Sequence, residues 1–260
     1  LDTRISDRAP DEETRALFER IDAIDAKSRF FRSLDAHHLA SFVKGNRTLA
    51  VTFELTEAIL TGGGDEAMPL GHDMHQSFGW SYLTLLGTQR SWFRSPAVYA
   101  LFDDLIDKDF FDAFDRVLFF GVGSAGYAAC AFSVAAPGAT VMAFRPQATL
   151  NPRHAAFDRR FGDARALDFT SRYGYAPWMV EGAEAVHLFY DPLVPEDAGH
   201  AAQFNAAHVH HHPMRFFGPQ PEFMLENEDW AELLFDLYEE DRLTDHRIAR
   251  LMRGRREDRN

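Results

Sequence analysis

The chain has 260 residues, 46% of them hydrophobic, and its 27 basic and 40 acidic side chains leave a formal charge of −13. A protein that neutralises nucleic-acid phosphates would be basic, and a disordered chain would be far less apolar, so both classes are set aside. The single cysteine, Cys130, excludes an intramolecular disulfide framework and a multi-cysteine zinc site, and no apolar run is long enough to span a membrane.

The opening, LDTRISDRAPDEE, has no apolar stretch of the kind that directs export, so a cytoplasmic location is expected. From residue 11 to about 34, Leu17, Ile21 and Ile24 recur at helical spacing behind acidic residues. A helical extension over residues 1–45 is therefore expected ahead of a domain over 46–260. Residues 48–54 and 81–86 read as strands, with a long loop over 62–76 between them. Pro96 opens a helix over 96–107. Residues 116–120 (RVLFF) form a short, nearly all-apolar run of the kind buried on both faces of a parallel sheet. An Ala-rich helix over 127–134 follows, then buried strands over 140–144 and 186–190. Residues 151–175 read as irregular, and helices over 196–204, 221–238 and 244–253 complete the chain. Strands alternating with helices imply an α/β fold, a mostly parallel sheet flanked by helices with right-handed crossovers.

The turn after RVLFF carries the most information. Gly121-Val122-Gly123-Ser124-Ala125-Gly126 joins a buried strand to a helix, the setting of a nucleophile elbow, where small neighbours let strand and helix approach. Two registers compete. With Gly123 at the tip every small position is satisfied; with Ser124 at the tip, Val122 and Tyr127 fall where small residues are wanted. The better register has no nucleophile, and it leaves the Ser124 N–H as an oxyanion-type donor. Gly121, Gly123 and Gly126 also spell G-x-G-x-x-G, but a dinucleotide site needs an acid roughly 20 residues on at the next strand end, and that strand ends in Phe144-Arg145. Arg145 suits a phosphorylated ligand.

Gly121–Ala129 (GVGSAGYAA) resembles the GxSMGGYAA elbow of α/β-hydrolase-fold proteins, and the resemblance spans about residues 48–220. Val51-Thr52-Phe53 resembles the strand before the oxyanion loop, and Ser91-Trp92-Phe93 an "xWY" signature. Residues 144–152 with Phe157-Asp158-Arg159-Arg160 resemble a "sPQxxidP…wDxRw" block, and Tyr190-Asp191-Pro192 the acid-bearing turn. The resemblance implies an α/β-hydrolase-like fold with Asp191 in the acid slot. It also shows Gly123 in the nucleophile slot, and Gly218-Pro219 where a Gly-His pair would bring the base. Chains of this kind are often labelled phosphoadenosine phosphosulfate reductase. Cys130, set among small apolar residues, and a C-terminus without cysteine do not suit that chemistry. Gly62-Gly63-Gly64-Asp65 resembles a pyrophosphate-binding loop, but a helix-like TEAIL precedes it instead of a strand.

His208, His210 and His212 share one face of a strand-like stretch, yet consecutive members stand about 6–7 Å apart, long for one tetrahedral ion. No metal and no cofactor are expected. The sequence points to a catalytically degenerate hydrolase homologue that binds a small molecule or protein partner, through a cleft at the strand ends, with Trp92, Arg145 and Gln147 as cleft candidates. The competing expectation is an active serine esterase or acyltransferase using Ser124, Asp191 and His212. No nucleic-acid or membrane partner is expected, and the oligomeric state is left open.

Overall fold

The computed structural model describes residues 11–24, 29–63, 66–215 and 228–257. Eight strands form one sheet: β1 (Arg29–Ser33), β2 (His38–Val43), β3 (Thr48–Leu55), β4 (Ser81–Gly87), β5 (Arg116–Val122), β6 (Thr140–Phe144), β7 (Ala185–Tyr190) and β8 (Val209–Pro213). Their spatial order is β1-β2-β4-β3-β5-β6-β7-β8. β1 and β2 pair antiparallel, as do β2 and β4, and every other pair is parallel.

The helices are α1 (Glu12–Asp22), α2 (Thr56–Gly63), α3 (Leu70–Phe78), α4 (Pro96–Asp107), α5 (Ser124–Phe132), α6 (Pro152–Ala155), α7 (Ala176–Met179), α8 (Pro195–Ala201), α9 (Glu228–Glu239) and α10 (Asp245–Glu257). α4 starts where the sequence says it must: Ser95 accepts the Ala97 N–H and Pro96 fills the first helical position. One sheet face packs Val51, Phe53, Phe119 and Val141 against Phe102 and Phe132 of α4 and α5. The other packs Trp80, Phe120, Phe144 and Phe189 against Leu234, Phe235, Tyr238 and Ile248 of α9 and α10. All nine residues of α5 are buried, which is why its sequence is small and apolar and not amphipathic. No described helix is long and apolar enough to cross a membrane.

Three expectations need correction. The N-terminal segment is helical only over α1; residues 29–43 supply two sheet strands, so residues 1–45 are not simply a helical extension. RFFRS alternates poorly, and its strand character comes from pairing with β2, a contact invisible in local pattern. The loop expected over 62–76 is largely helix: α3 buries Gly71 and Met74 and closes at Gly79 in the left-handed conformation. Helix α5 also begins earlier than 127, at Ser124.

Candidate functional site

β5 ends at Val122 and α5 begins at Ser124, so the whole reversal is made by Gly123, at φ 62° and ψ −121°. That conformation is strained for any residue with a side chain. The turn is tight because Gly121 lies against the helix start; a Cβ there would fall 2.3 Å from the Ala125 carbonyl oxygen. Ser124 is the first helical residue, and Gly123, the tip, carries no side chain. Gly126 lets the helix approach the Gly121 and Phe144 carbonyls.

Beyond the tip lies a cleft of about 190 Å³, several times one water's share of liquid volume, ~30 Å³. Phe53, Leu55, Ala58, Phe120, Val122 and Phe161 give it apolar walls; Glu54, Arg90, Arg145, Gln147, Arg160 and the Gly123–Ala125 turn give it polar ones. The N–H groups of the first turn of α5 have no partner within the helix, so this wall is electropositive.

The arginines are held by a buried network. Asp197 of α8 accepts from Arg145 Nε and from Arg160 Nη1, both at 2.7 Å. Asp158 accepts from Arg160 Nη2 at 2.8 Å and from His200 Nε2 at 3.1 Å. The Ala148 N–H donates to His200 Nδ1, which fixes the tautomer that donates to Asp158. Burial alone would raise the Asp158 pKa; the hydrogen bonds from His200 and Arg160 outweigh it and hold the carboxyl well below its usual range. Arg145 is buried at φ 47°, again left-handed, and its Nη1 has no hydrogen-bond partner among the described residues. Gln147 donates Nε2–H to the Arg145 carbonyl and accepts from Trp92 Nε1 at 2.8 Å.

No protein-family model matches the chain, and no curated protein matches it. Among solved structures it is similar to the capsule O-acetyltransferase of Neisseria meningitidis serogroup A: 12% identity, 82% of this chain and 96% of that one covered, TM-score 0.49. It is similar also to MPT51 of Mycobacterium tuberculosis, at 13% identity, 85% and 98% coverage and a TM-score of 0.48. A third similarity is to the Gap123 glycosylation-associated protein complex of Streptococcus agalactiae, with 13% identity and a TM-score of 0.48. There the match covers 80% of this chain but 46% of the other, so this chain spans under half that length. The fold is α/β-hydrolase-like. Strand order and elbow carry that assignment, not these low similarities, and nothing about substrate follows from them.

The candidate residues are thus separated into two groups. Gly121, Gly123, Ser124 and Gly126 build the elbow, and Arg145 and Gln147 join Gly123 and Ser124 at the cleft. Trp92 does not line the cleft. It is buried against Phe161 and Phe169 and acts by holding Gln147. Asp191, the residue directly after β7, is buried, and its Oδ1 accepts the Leu193 N–H at 2.9 Å. His212 contacts His187, Asp245 and Phe189, so Ser124, Asp191 and His212 are not joined as a relay. The other strand histidines are satisfied separately, His208 Nε2 donating to the Val180 carbonyl and His211 Nε2 to that of Phe204. Burial pushes the Cys130 thiol up, the state of an inert packing cysteine. Gly64, Asp65 and the Gly218-Pro219 pair lie outside the described residues.

Sequence reasoning missed Glu54, Asp197 and His200, and one further group. Asp35 accepts from His38 Nδ1 at 2.9 Å, and His38 Nε2 lies 2.6 Å from Ser91 Oγ. Ser91 also accepts the Phe93 N–H. All three residues brace a turn in which Trp92 and Phe93 both have positive φ. Ser91 is buried and is not among the residues that line the cleft, and the relay braces the turn that carries Trp92 and, through it, Gln147.

Glu54, next to the last residue of β3, lines the cleft. Burial raises its pKa to about 7, partly offset by hydrogen bonds from the Leu70 N–H and Thr52 Oγ1. A carboxyl whose folded pKa is raised favours the folded state at pH below its unfolded value of 4.5 and loses that contribution as pH climbs through about 7. Urea unfolding should therefore show the parent chain losing up to about 3 kcal/mol between pH 4.5 and 8 relative to Glu54→Gln. Parallel pH profiles for the two chains would contradict this.

Proposed function

We propose that this chain binds a small molecule with a carboxylate and an apolar body in the cleft over Gly123, without forming an acyl-enzyme. Arg145 carries the reading. A buried guanidinium N–H with no partner costs ~1–3 kcal/mol, and an anion bridging Nη1 and the first turn of α5 removes that cost. The Arg145 conformation, costly for a residue with a Cβ, is retained where it aims the side chain at the cleft. Phe53, Phe120 and Phe161 suit a hydrocarbon body. Acyl transfer in this cleft needs a nucleophile and a base that activates it; the tip is glycine, no described imidazole hydrogen-bonds Ser124, and the Ser91–His38 pair is not among the residues that line the cleft. A concave, partly apolar cleft favours a small molecule over a protein surface.

Calorimetric titration with octanoate tests the reading. The parent chain should bind saturably, and Arg145→Met should weaken binding ~10–100-fold, the worth of one charge-assisted hydrogen bond. Ala58→Trp, which fills the cleft from α2, should abolish binding. Octanol bound as tightly as octanoate would remove the carboxylate while keeping the cleft; no binding of either would remove both.

A further inference from the structure

Outside the cleft, the sheet gathers a second set of ligand-type side chains that the elbow does not use. In the β7–β8 register His187 faces His210 and Phe189 faces His212, so three imidazoles share one sheet face. His187 Nδ1 lies 3.0 Å from His212 Nε2. Asp245, in the first turn of α10, brings Oδ1 to 3.9 Å from His212 Nε2, and one donor atom from each of the three residues lies within 4.8 Å of the others. His210 Nδ1 bonds the same carboxylate at 2.9 Å.

We propose that His187, His212 and Asp245 form a binding site for a divalent transition-metal ion, zinc by preference, with His210 orienting Asp245. Zinc holds imidazole nitrogen at ~2.0–2.1 Å and carboxylate oxygen at ~2.0–2.2 Å, so neighbouring ligands in a tetrahedron stand ~3.3 Å apart. The separations of 3.0 and 3.9 Å straddle that value. Asp245 is 64% exposed on a helix end, free to close the wider gap. Two imidazoles and one carboxylate suit zinc and its neighbours; calcium and magnesium want oxygen alone. The rings are fixed by stacking, His212 on Phe189 and His187 on His210.

This reverses the expectation drawn from strand spacing. Along β8 the histidines are too far apart; the adjacent strand, about 4.8 Å away, supplies His187 instead. The site is independent of the cleft and stands or falls separately from it.

The test uses the untagged full chain, stripped with chelator, dialysed against zinc alone and assayed by elemental mass spectrometry. About one zinc per chain should be retained. Asp245→Asn, a surface change that should leave the zinc-free melting curve unaltered, should lower zinc affinity at least ~10-fold. His187→Gln should lower it further, and if that buried change disturbs folding, Asp245→Asn decides alone. Cobalt(II) in place of zinc should give the visible absorption of a four-coordinate site, lost in Asp245→Asn. Zinc no higher than the buffer blank, or parent-level zinc retained by Asp245→Asn, would overturn the proposal. The latter result would place the ion on histidines elsewhere.

Discussion

Asp197→Ala should destabilise the chain by about 3 kcal/mol and abolish octanoate binding. Asp197 is almost wholly buried and takes one hydrogen bond from each of two guanidinium groups, those of Arg145 and Arg160. Without it Arg145, itself buried, has no counter-charge at Nε, and removing one partner of a buried pair leaves the other charge uncompensated. Arg160 is a quarter exposed and keeps Asp158, so it adds less. The comparison that isolates the effect is Asp103→Ala. Its bidentate bond to Arg172 is as short, at 2.7 Å, but both side chains are about half exposed, and the expected cost is at most ~0.5 kcal/mol. Equal urea midpoints for the two variants would contradict the burial argument.

Gly121→Val should be larger still, about 4 kcal/mol or more, with loss of soluble protein. The added Cβ meets the Ala125 carbonyl oxygen at 2.3 Å, its carbon at 2.4 Å and the Gly126 nitrogen at 2.8 Å. These are backbone atoms and cannot rotate away, so β5 and α5 must separate at the centre of the core. Gly126→Ala meets its nearest carbonyls at 3.0 Å and should cost ~1–2 kcal/mol, readable in the same urea series. A Gly121→Val chain that folds with parental stability would show that strand and helix are not held as tightly as the elbow requires.

The parts of this fold that were legible in the sequence are those encoded locally. RVLFF could hardly be anything but a buried parallel strand, Pro96 announces a helix start, and the small residues after Phe120 locate the strained turn, with Gly123 at its tip. What escaped was set by partners distant in sequence. RFFRS becomes β1 through β2, and α3 lies in a segment whose glycines and single proline, Pro69, read as loop. Arg145 and Gln147 stood out as cleft residues, but Asp197 and His200, which hold the arginine layer, lie on a short helix about 50 residues on and carry no local signature. Trp92, a cleft candidate in the sequence, packs in the core on Phe161 and Phe169, and its indole N–H donates to Gln147. The histidine run was read along its own strand, whereas sheet register brings His187 to His212.

The central claim is that Gly123 leaves this elbow able to hold an anion and unable to take an acyl group. Faint ester turnover would not decide it, because an oxyanion hole and binding alone can leave ~10³–10⁴-fold acceleration in a disabled triad. A covalent serine trap does decide it. Incubated with excess fluorophosphonate and weighed intact, the chain should show no added mass, at Ser124 or at the buried Ser91. One equivalent on Ser124, lost in Ser124→Ala, would contradict the account and make this cleft the active site of a serine esterase or acyltransferase.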